Sequence, residues 1–134
     1  MMWCHGAPGI GLGRLALLTA DEDPDYIREI ETAIDATLGY GLRRAEHLCC
    51  GNFGRIDLLV EASLRLDRPE LHARAKAAAR ARLDWSAARG DFDLGADDAP
   101  ASLKPTLFRG LAGIGYQLLR IASPRLVPTV LTWN

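Results

Sequence analysis

The 134-residue sequence predicts an all-α chain in which helical hairpins stand around a common axis. Three observations carry that prediction. Helical segments that are apolar all round alternate with segments that have one wet side. Pro and Gly punctuate the segment ends. Each all-apolar segment is preceded by a Gly-x-x-Gly turn: Gly6 to Gly9, Gly51 to Gly54 and Gly110 to Gly113. The intervals between these turns vary too much for a regular solenoid but suit hairpins about one axis. Without Cβ atoms, the starts of the inner helices can crowd together at one end.

The first helix is expected after Gly9, over residues 10–20, where only Arg14 and Thr19 interrupt the apolar side chains; such a helix is buried on all sides. Asp21-Glu22-Asp23-Pro24 reads as a loop, with Asp23 as N-cap and Pro24 at the first helical position. Over residues 24–38, Ile27, Ile30, Ile34 and Leu38 share one face and Arg28, Glu29, Glu31 and Asp35 the other, which makes an outer helix. Gly39-Tyr40-Gly41 ends it, and residues 42–48 cross back as a loop.

A third helix, over 51–66, spreads Ile56, Leu58, Leu59, Val60, Ala62, Leu64 and Leu66 around its circumference and reads as inner. Asp67-Arg68-Pro69 breaks it. An Ala- and Arg-rich outer helix follows over 69–88. Residues 89–106, with Gly90, Gly95, Pro100 and Pro105, form a long loop, and the last inner helix covers 111–122 before Ser123-Pro124 stops it.

All three cysteines lie in two blocks, Trp3-Cys4-His5-Gly6-Ala7-Pro8-Gly9-Ile10 and Leu48-Cys49-Cys50-Gly51-Asn52-Phe53-Gly54. Both blocks put cysteine just before the Gly-x-x-Gly turn, so the thiols are expected at helix N-termini. There the helix dipole and free N–H groups favour the thiolate, the form that binds metal. Three thiolates make a zinc (Zn²⁺) site with one tetrahedral position open, the mark of a catalytic rather than a structural site. No Cys-x-x-Cys pair is present, so a zinc finger is excluded.

These two blocks, with Leu107-Phe108-Arg109-Gly110-Leu111-Ala112-Gly113-Ile114-Gly115-Tyr116, carry a resemblance to the lanthionine synthetase cyclases, the LanC-like family. The resemblance implies a partial α/α toroid, with residues 1–134 as the C-terminal part of a cyclase domain. A complete cyclase is much longer, and the family's catalytic His and Asp precede the Trp-Cys block. The Cys49-Cys50-Gly51 form looks like the three-cysteine branch of LanM-type class II synthetases, which makes Cys4, Cys49 and Cys50 the zinc ligands. The implied activity is lanthipeptide cyclisation: a precursor-peptide cysteine adds to dehydroalanine or dehydrobutyrine and closes a thioether ring. The peptide is the implied partner, with the missing N-terminal part of the synthetase as a second. A non-catalytic zinc-binding remnant, or a subunit needing another chain, is the alternative.

His5 follows a ligand directly, where relatives carry Tyr or His. It is a candidate proton donor, with packing beside the site as the equal alternative. His47 reads as a loop residue rather than a fourth ligand, and His72 as a solvated residue of the outer helix. Asp91, Asp93, Asp97 and Asp98 lack EF-hand spacing and read as a solvated loop. Trp3, Trp85 and Trp133 read as core or rim aromatics. A net charge of −1 argues against electrostatic nucleic-acid binding. The longest apolar stretch, over 10–18, is too short to span a bilayer. No basic region or cleavage site follows Met1-Met2, so cytoplasm is the expected location, where thiols are free or metal-bound rather than paired as disulfides.

Overall fold

The computed structural model describes residues 1–18, 23–43, 45–95 and 104–132. Its five helices are α1 (Ala7–Leu17), α2 (Pro24–Tyr40), α3 (Asn52–Arg65), α4 (Pro69–Arg89) and α5 (Leu111–Ala122), and there is no strand among the described residues. The chain is therefore all-α, as its punctuation predicts. α1 pairs with α2 and α3 with α4, while α3 also touches α1 on one side and α5 on the other. The inner layer is α1, α3 and α5, and the outer layer α2 and α4: a segment of an α/α toroid.

Burial follows that layering. In α3 every residue from Asn52 to Ser63 is buried, charged ones included. α2 buries only Ile30, Ala33, Ile34 and Thr37, a single stripe at helical spacing. α4 buries Leu71, Ala75, Ala79, Arg82 and Ser86 in the same way. The Asp23 carboxylate accepts the Asp25 N–H at 2.8 Å, with Pro24 opening α2 as expected.

Two elements depart from the sequence reading. α1 starts at Ala7 rather than after Gly9, because Pro8 pre-sets the first turn and the Gly6 carbonyl already accepts from Gly9 and Ile10. It is also not buried on all sides: Ile10 is 55% exposed and Leu17 41%, and Leu119 on α5 is 63% exposed. α3 has an inner helix on each flank, whereas α1 and α5 each have one among the described residues, so one flank of each stays uncovered.

The Gly-x-x-Gly turns repeat one geometry three times. A Cβ added to Gly9, Gly54 or Gly113 would fall 2.0, 1.9 or 1.8 Å from the carbonyl oxygen of Trp3, Leu48 or Leu107, each six positions earlier. The turn before every inner helix thus lies directly on that helix's first turn, in a space no side chain can share. Gly54→Ala should therefore cost about 3 kcal/mol or more, at the top of the overpacking range, because backbone rather than a flexible side chain must move. A loss below about 1 kcal/mol in urea denaturation would contradict this packing.

Two buried clusters of ion pairs tie the helices together, one centred on Arg120 and one on Arg82. Arg120 on α5 is 1% exposed, and its Nε donates to Asp57 Oδ1 on α3 at 2.6 Å. Gln117 Nε2 donates to the same oxygen at 2.8 Å, Thr129 donates to the other, and Arg120 also pairs with Glu61 and reaches the Val127 carbonyl at 2.7 Å. This ties the segment after α5 to α3. That segment returns to the start of the chain, where Trp3 Nε1 donates to the Leu131 carbonyl at 3.1 Å. The second pair, Arg82 and Glu46, holds α4 to the loop before α3, with Asn52 Nδ2 donating to Glu46 Oε2 at 2.8 Å. Burial pushes the Glu46 carboxyl above its usual range against the pull of Arg82 and Asn52.

His72 is not simply solvated. It is half-buried, with Nε2 2.8 Å from the Ile121 carbonyl, and so bridges α4 to the end of α5. Trp85 is half-buried with Arg82 and Arg89 over its ring, a rim position. Trp133, Asp97 and Asp98 lie outside the described residues.

Candidate metal centre

The repeated turn geometry explains how cysteines 45 positions apart meet. Cys4 stands two residues before the N-cap Gly6, and Cys49 and Cys50 stand two and one before the N-cap Gly51. Because α1 and α3 are neighbours in the inner layer, equivalent turn positions fall side by side. Cys4 Sγ lies 3.4 Å from Cys50 Sγ, Cys50 Sγ lies 3.4 Å from Cys49 Sγ, and all three sulfurs fall within 4.8 Å of one another. Tetrahedral thiolates at about 2.3 Å from zinc lie about 3.8 Å apart, so the cluster accommodates such an ion with small adjustments. Cys4 is exposed and the other two are half-buried, which leaves one side of the cluster open.

The electrostatics differ from the expectation of dipole-stabilised thiolates. The Cys49 thiol is pushed up to about 12, first by burial and then by hydrogen bonds and charge from Cys4 and Cys50. Burial also raises Cys50, with its hydrogen bond to Cys49 and then the Arg109 charge partly offsetting it. The cysteines precede the helix N-caps rather than occupying the first turn, so the dipole acts on them too weakly to overcome burial and crowding. Two adjacent thiols that hold their protons until a cation replaces them form a site for a positive ion. Zinc binding near pH 7 should therefore release about two protons or more per ion, from Cys49 and Cys50 at least, and affinity should fall as pH drops. Calorimetry in buffers of different ionisation enthalpy measures this; proton-neutral binding would contradict it.

Backbone contacts fix the cluster. The Cys49 N–H donates to the Phe108 carbonyl at 2.9 Å, which ties the α5 turn to the site. The Cys50 N–H donates to His47 Nδ1 at 3.2 Å, and Arg55 reaches the Cys50 carbonyl at 3.5 Å. His47 is buried, and burial followed by the nearby Arg109 charge lowers its pKa, so it is a neutral acceptor. It supports the turn and does not join the sulfur cluster, in line with the loop reading. The Trp3 and Phe108 rings stack at 5.5 Å and 3° and wall the site between the first and third turns. His5 is exposed beside Cys4 and makes no hydrogen bond among the described residues.

Arg109 was not among the candidates, yet its charge acts on both Cys50 and His47. A signal for it exists in the sequence: aligning the turns on their glycines sets Phe108 level with Cys4 and Cys49, and Arg109 level with His5 and Cys50. Asp93 is buried rather than solvated, its Oδ1 accepting the Gly95 N–H at 2.9 Å and its carbonyl the Glu46 N–H at 2.8 Å. It closes a loop, and neither it nor Asp91 belongs to a metal-ligand group among the described residues.

No solved structure matches the chain. A protein-family model described as lanthionine synthetase C-like protein matches residues 2–132.

Proposed function

The chain belongs to the lanthionine synthetase C-like family, and on that premise we propose that Cys4, Cys49 and Cys50 hold zinc and activate a precursor-peptide cysteine for thioether formation. The sulfur cluster, with its one exposed side, is the observation that carries the reading. Bound there, zinc supplies Lewis-acid chemistry, lowering the pKa of a thiol that takes the open position so that it can attack dehydroalanine or dehydrobutyrine. Three protein thiolates make a more electron-rich site than two thiolates and a histidine, which favours a reactive substrate sulfur. His5, exposed beside Cys4, supplies or accepts a proton at the reacting peptide. Arg109 offsets part of the negative charge that the ligands gather. Trp3 and Phe108 form a flat apolar wall against which the peptide lies.

We read the chain as the C-terminal part of a cyclase domain of the three-cysteine LanM-type branch, acting in the cytoplasm, a reading that the Cys49-Cys50-Gly51 form supports for the branch. No helix among the described residues is long and apolar enough to cross a membrane.

A second reading, a zinc-binding unit that needs another chain for turnover, is favoured by the uncovered flanks of α1 and α5. Holding the dehydrated residue beside the sulfur is worth roughly 7–11 kcal/mol of proximity, and a wall on one side alone forfeits much of it. The zinc-loaded chain is therefore expected to capture a cysteine peptide but close few rings. The assay incubates it with a dehydrated cysteine peptide and a serine control, measures binding by dialysis, and counts free thiols by alkylation and mass spectrometry. Capture that needs the peptide thiol and disappears in Cys49→Ala supports thiol activation. Thiol loss well above the uncatalysed rate, again abolished by Cys49→Ala, would show that this chain suffices. Equal binding of cysteine and serine peptides contradicts both readings.

A further inference from the structure

The two turns that carry the cysteines also place a pair of thiols for oxidation. Cys4 Sγ and Cys50 Sγ lie 3.4 Å apart, although 46 positions separate them in the chain. A disulfide holds its sulfurs at about 2.05 Å, so closing this pair needs about 1.4 Å of approach, within reach of side-chain rotation and a small adjustment of the turn. Cys4 is exposed, two residues before the N-cap of α1, and meets an oxidant from solvent first. Cys50 is held on both sides of its backbone, its N–H donating to His47 Nδ1 at 3.2 Å and its carbonyl accepting from Arg55 at 3.5 Å. One partner is thus accessible and the other fixed, the arrangement of an oxidised sulfur beside a resolving one.

Cys49 is equally near to Cys50, at 3.4 Å, but it is the wrong partner. A bond between chain neighbours closes a small ring through their shared peptide and twists that peptide out of plane. Here the two residues are also tied down, the Cys49 N–H to the Phe108 carbonyl and the Cys50 N–H to His47. A Cys4–Cys50 bond leaves both contacts in place and links the turn before α1 to the turn before α3.

We propose that Cys4 and Cys50 form a reversible disulfide when a peroxide reaches the metal-free centre, and that this bond shuts the centre to metal. The Cys4 sulfur, as thiolate, attacks one oxygen of hydrogen peroxide. The O–O bond breaks, the leaving hydroxide takes up the proton that the thiol lost, and Cys4 is left as a sulfenic acid. The Cys50 sulfur then attacks the Cys4 sulfur: the S–S bond forms, the S–O bond breaks, and the departing hydroxide takes the Cys50 proton as a second water. The two sulfurs lose two electrons, the peroxide gains them, and a thiol reductant reverses the change by exchange. Oxidation removes two of the three thiols, and Cys49 alone makes no tetrahedral site. Bound zinc blocks the reaction, because it occupies the sulfur lone pairs and sets the thiolates about 3.8 Å apart. Such a bond is of the transient, sensing kind that reducing compartments permit. The effect on metal rests on the zinc reading above, whereas the disulfide itself does not.

Peroxide treatment of the metal-free full chain, followed by alkylation and mass spectrometry, tests the proposal. Two of the three thiols should become resistant to alkylation, and mapping without reduction should join the peptide of Cys4 to that of Cys50. Cys49→Ser should form the bond as before, whereas Cys4→Ser and Cys50→Ser should form none. Closing a loop of this length should raise the melting temperature of the metal-free chain by about 5 °C or more. The oxidised chain should take up no zinc until a reductant restores its thiols, and the zinc-loaded chain should resist the same dose of peroxide. A Cys49–Cys50 bond, disulfide-linked dimers, sulfinic acid on Cys4 without a bond, or an oxidised chain that still binds zinc would each overturn the proposal. Because the bond is mapped on the metal-free chain, its failure is distinct from failure of the reduced chain to bind zinc, which would overturn the zinc reading.

Discussion

Replacing Arg120 with leucine should destabilise the chain by about 3–5 kcal/mol, the largest single-site loss outside the glycine turns, because it leaves the buried Asp57 without a cation and Glu61 with only the half-exposed Arg65. Asp57 is 0% exposed and Glu61 5%, and both take their charge partner on α5 from this one guanidinium. The same change releases the Val127 carbonyl, so the segment that carries Leu131 back to Trp3 loses its hold on α3. Replacing Arg120, Asp57 and Glu61 together with apolar residues of similar volume should recover most of the loss, since the penalty is an uncompensated charge and not a missing attraction. Urea denaturation followed by circular dichroism measures both variants. A single-variant loss under about 1 kcal/mol, or a triple variant no better than the single, would contradict the buried network.

The second large effect concerns the thiols. Cys49→Ala should lower zinc affinity by about 10²- to 10³-fold, one ligand's share of the roughly 10–16 kcal/mol with which four-ligand zinc sites hold their ion. Cys49 is half-buried and its N–H is held by the Phe108 carbonyl, so water can replace its sulfur but not its fixed position. His47→Ala should weaken zinc far less, because its ring accepts the Cys50 N–H and lies outside the three-sulfur group. Competition with a chromophoric chelator ranks the variants. A histidine variant as weak as the cysteine variant would mean that the ligand set has been misassigned.

Much of the fold was legible because it is written locally. Asp23-Pro24 opens α2 and Gly90 closes α4, both through short-range backbone chemistry that any reader of the chain can apply. The start of α1 was missed by three residues because Gly9 looked like the end of a turn, whereas Pro8 had already set the helix. Arg120, Asp57, Arg55 and Glu61 were illegible for a different reason. Periodicity treats a charge as a mark of the wet face, and the pairing that buries Arg120 spans 63 positions of sequence. His72 was misread on the same grounds, its partner carbonyl being 49 positions away.

The sulfur cluster was legible in its three members and not in its surroundings. Cys4, Cys49 and Cys50 stood out through the Gly-x-x-Gly turns, and those turns do bring the sulfurs together. Burial and crowding of the thiols, which reverse the expected effect of the helix dipoles, appear only when distances are known. Arg109 needed the third turn to be aligned with the first two, a step that the absence of cysteine there discouraged.

Metal content is the most direct test of the central claim that one ion is held by these three thiols. The purified full chain, loaded with zinc and passed through a desalting column, should retain about one zinc per chain by elemental analysis, with Cys4, Cys49 and Cys50 protected from alkylation. The triple Cys→Ala variant should retain none. Stoichiometric zinc in the triple variant, or three freely alkylated thiols in the zinc-loaded chain, would contradict the account.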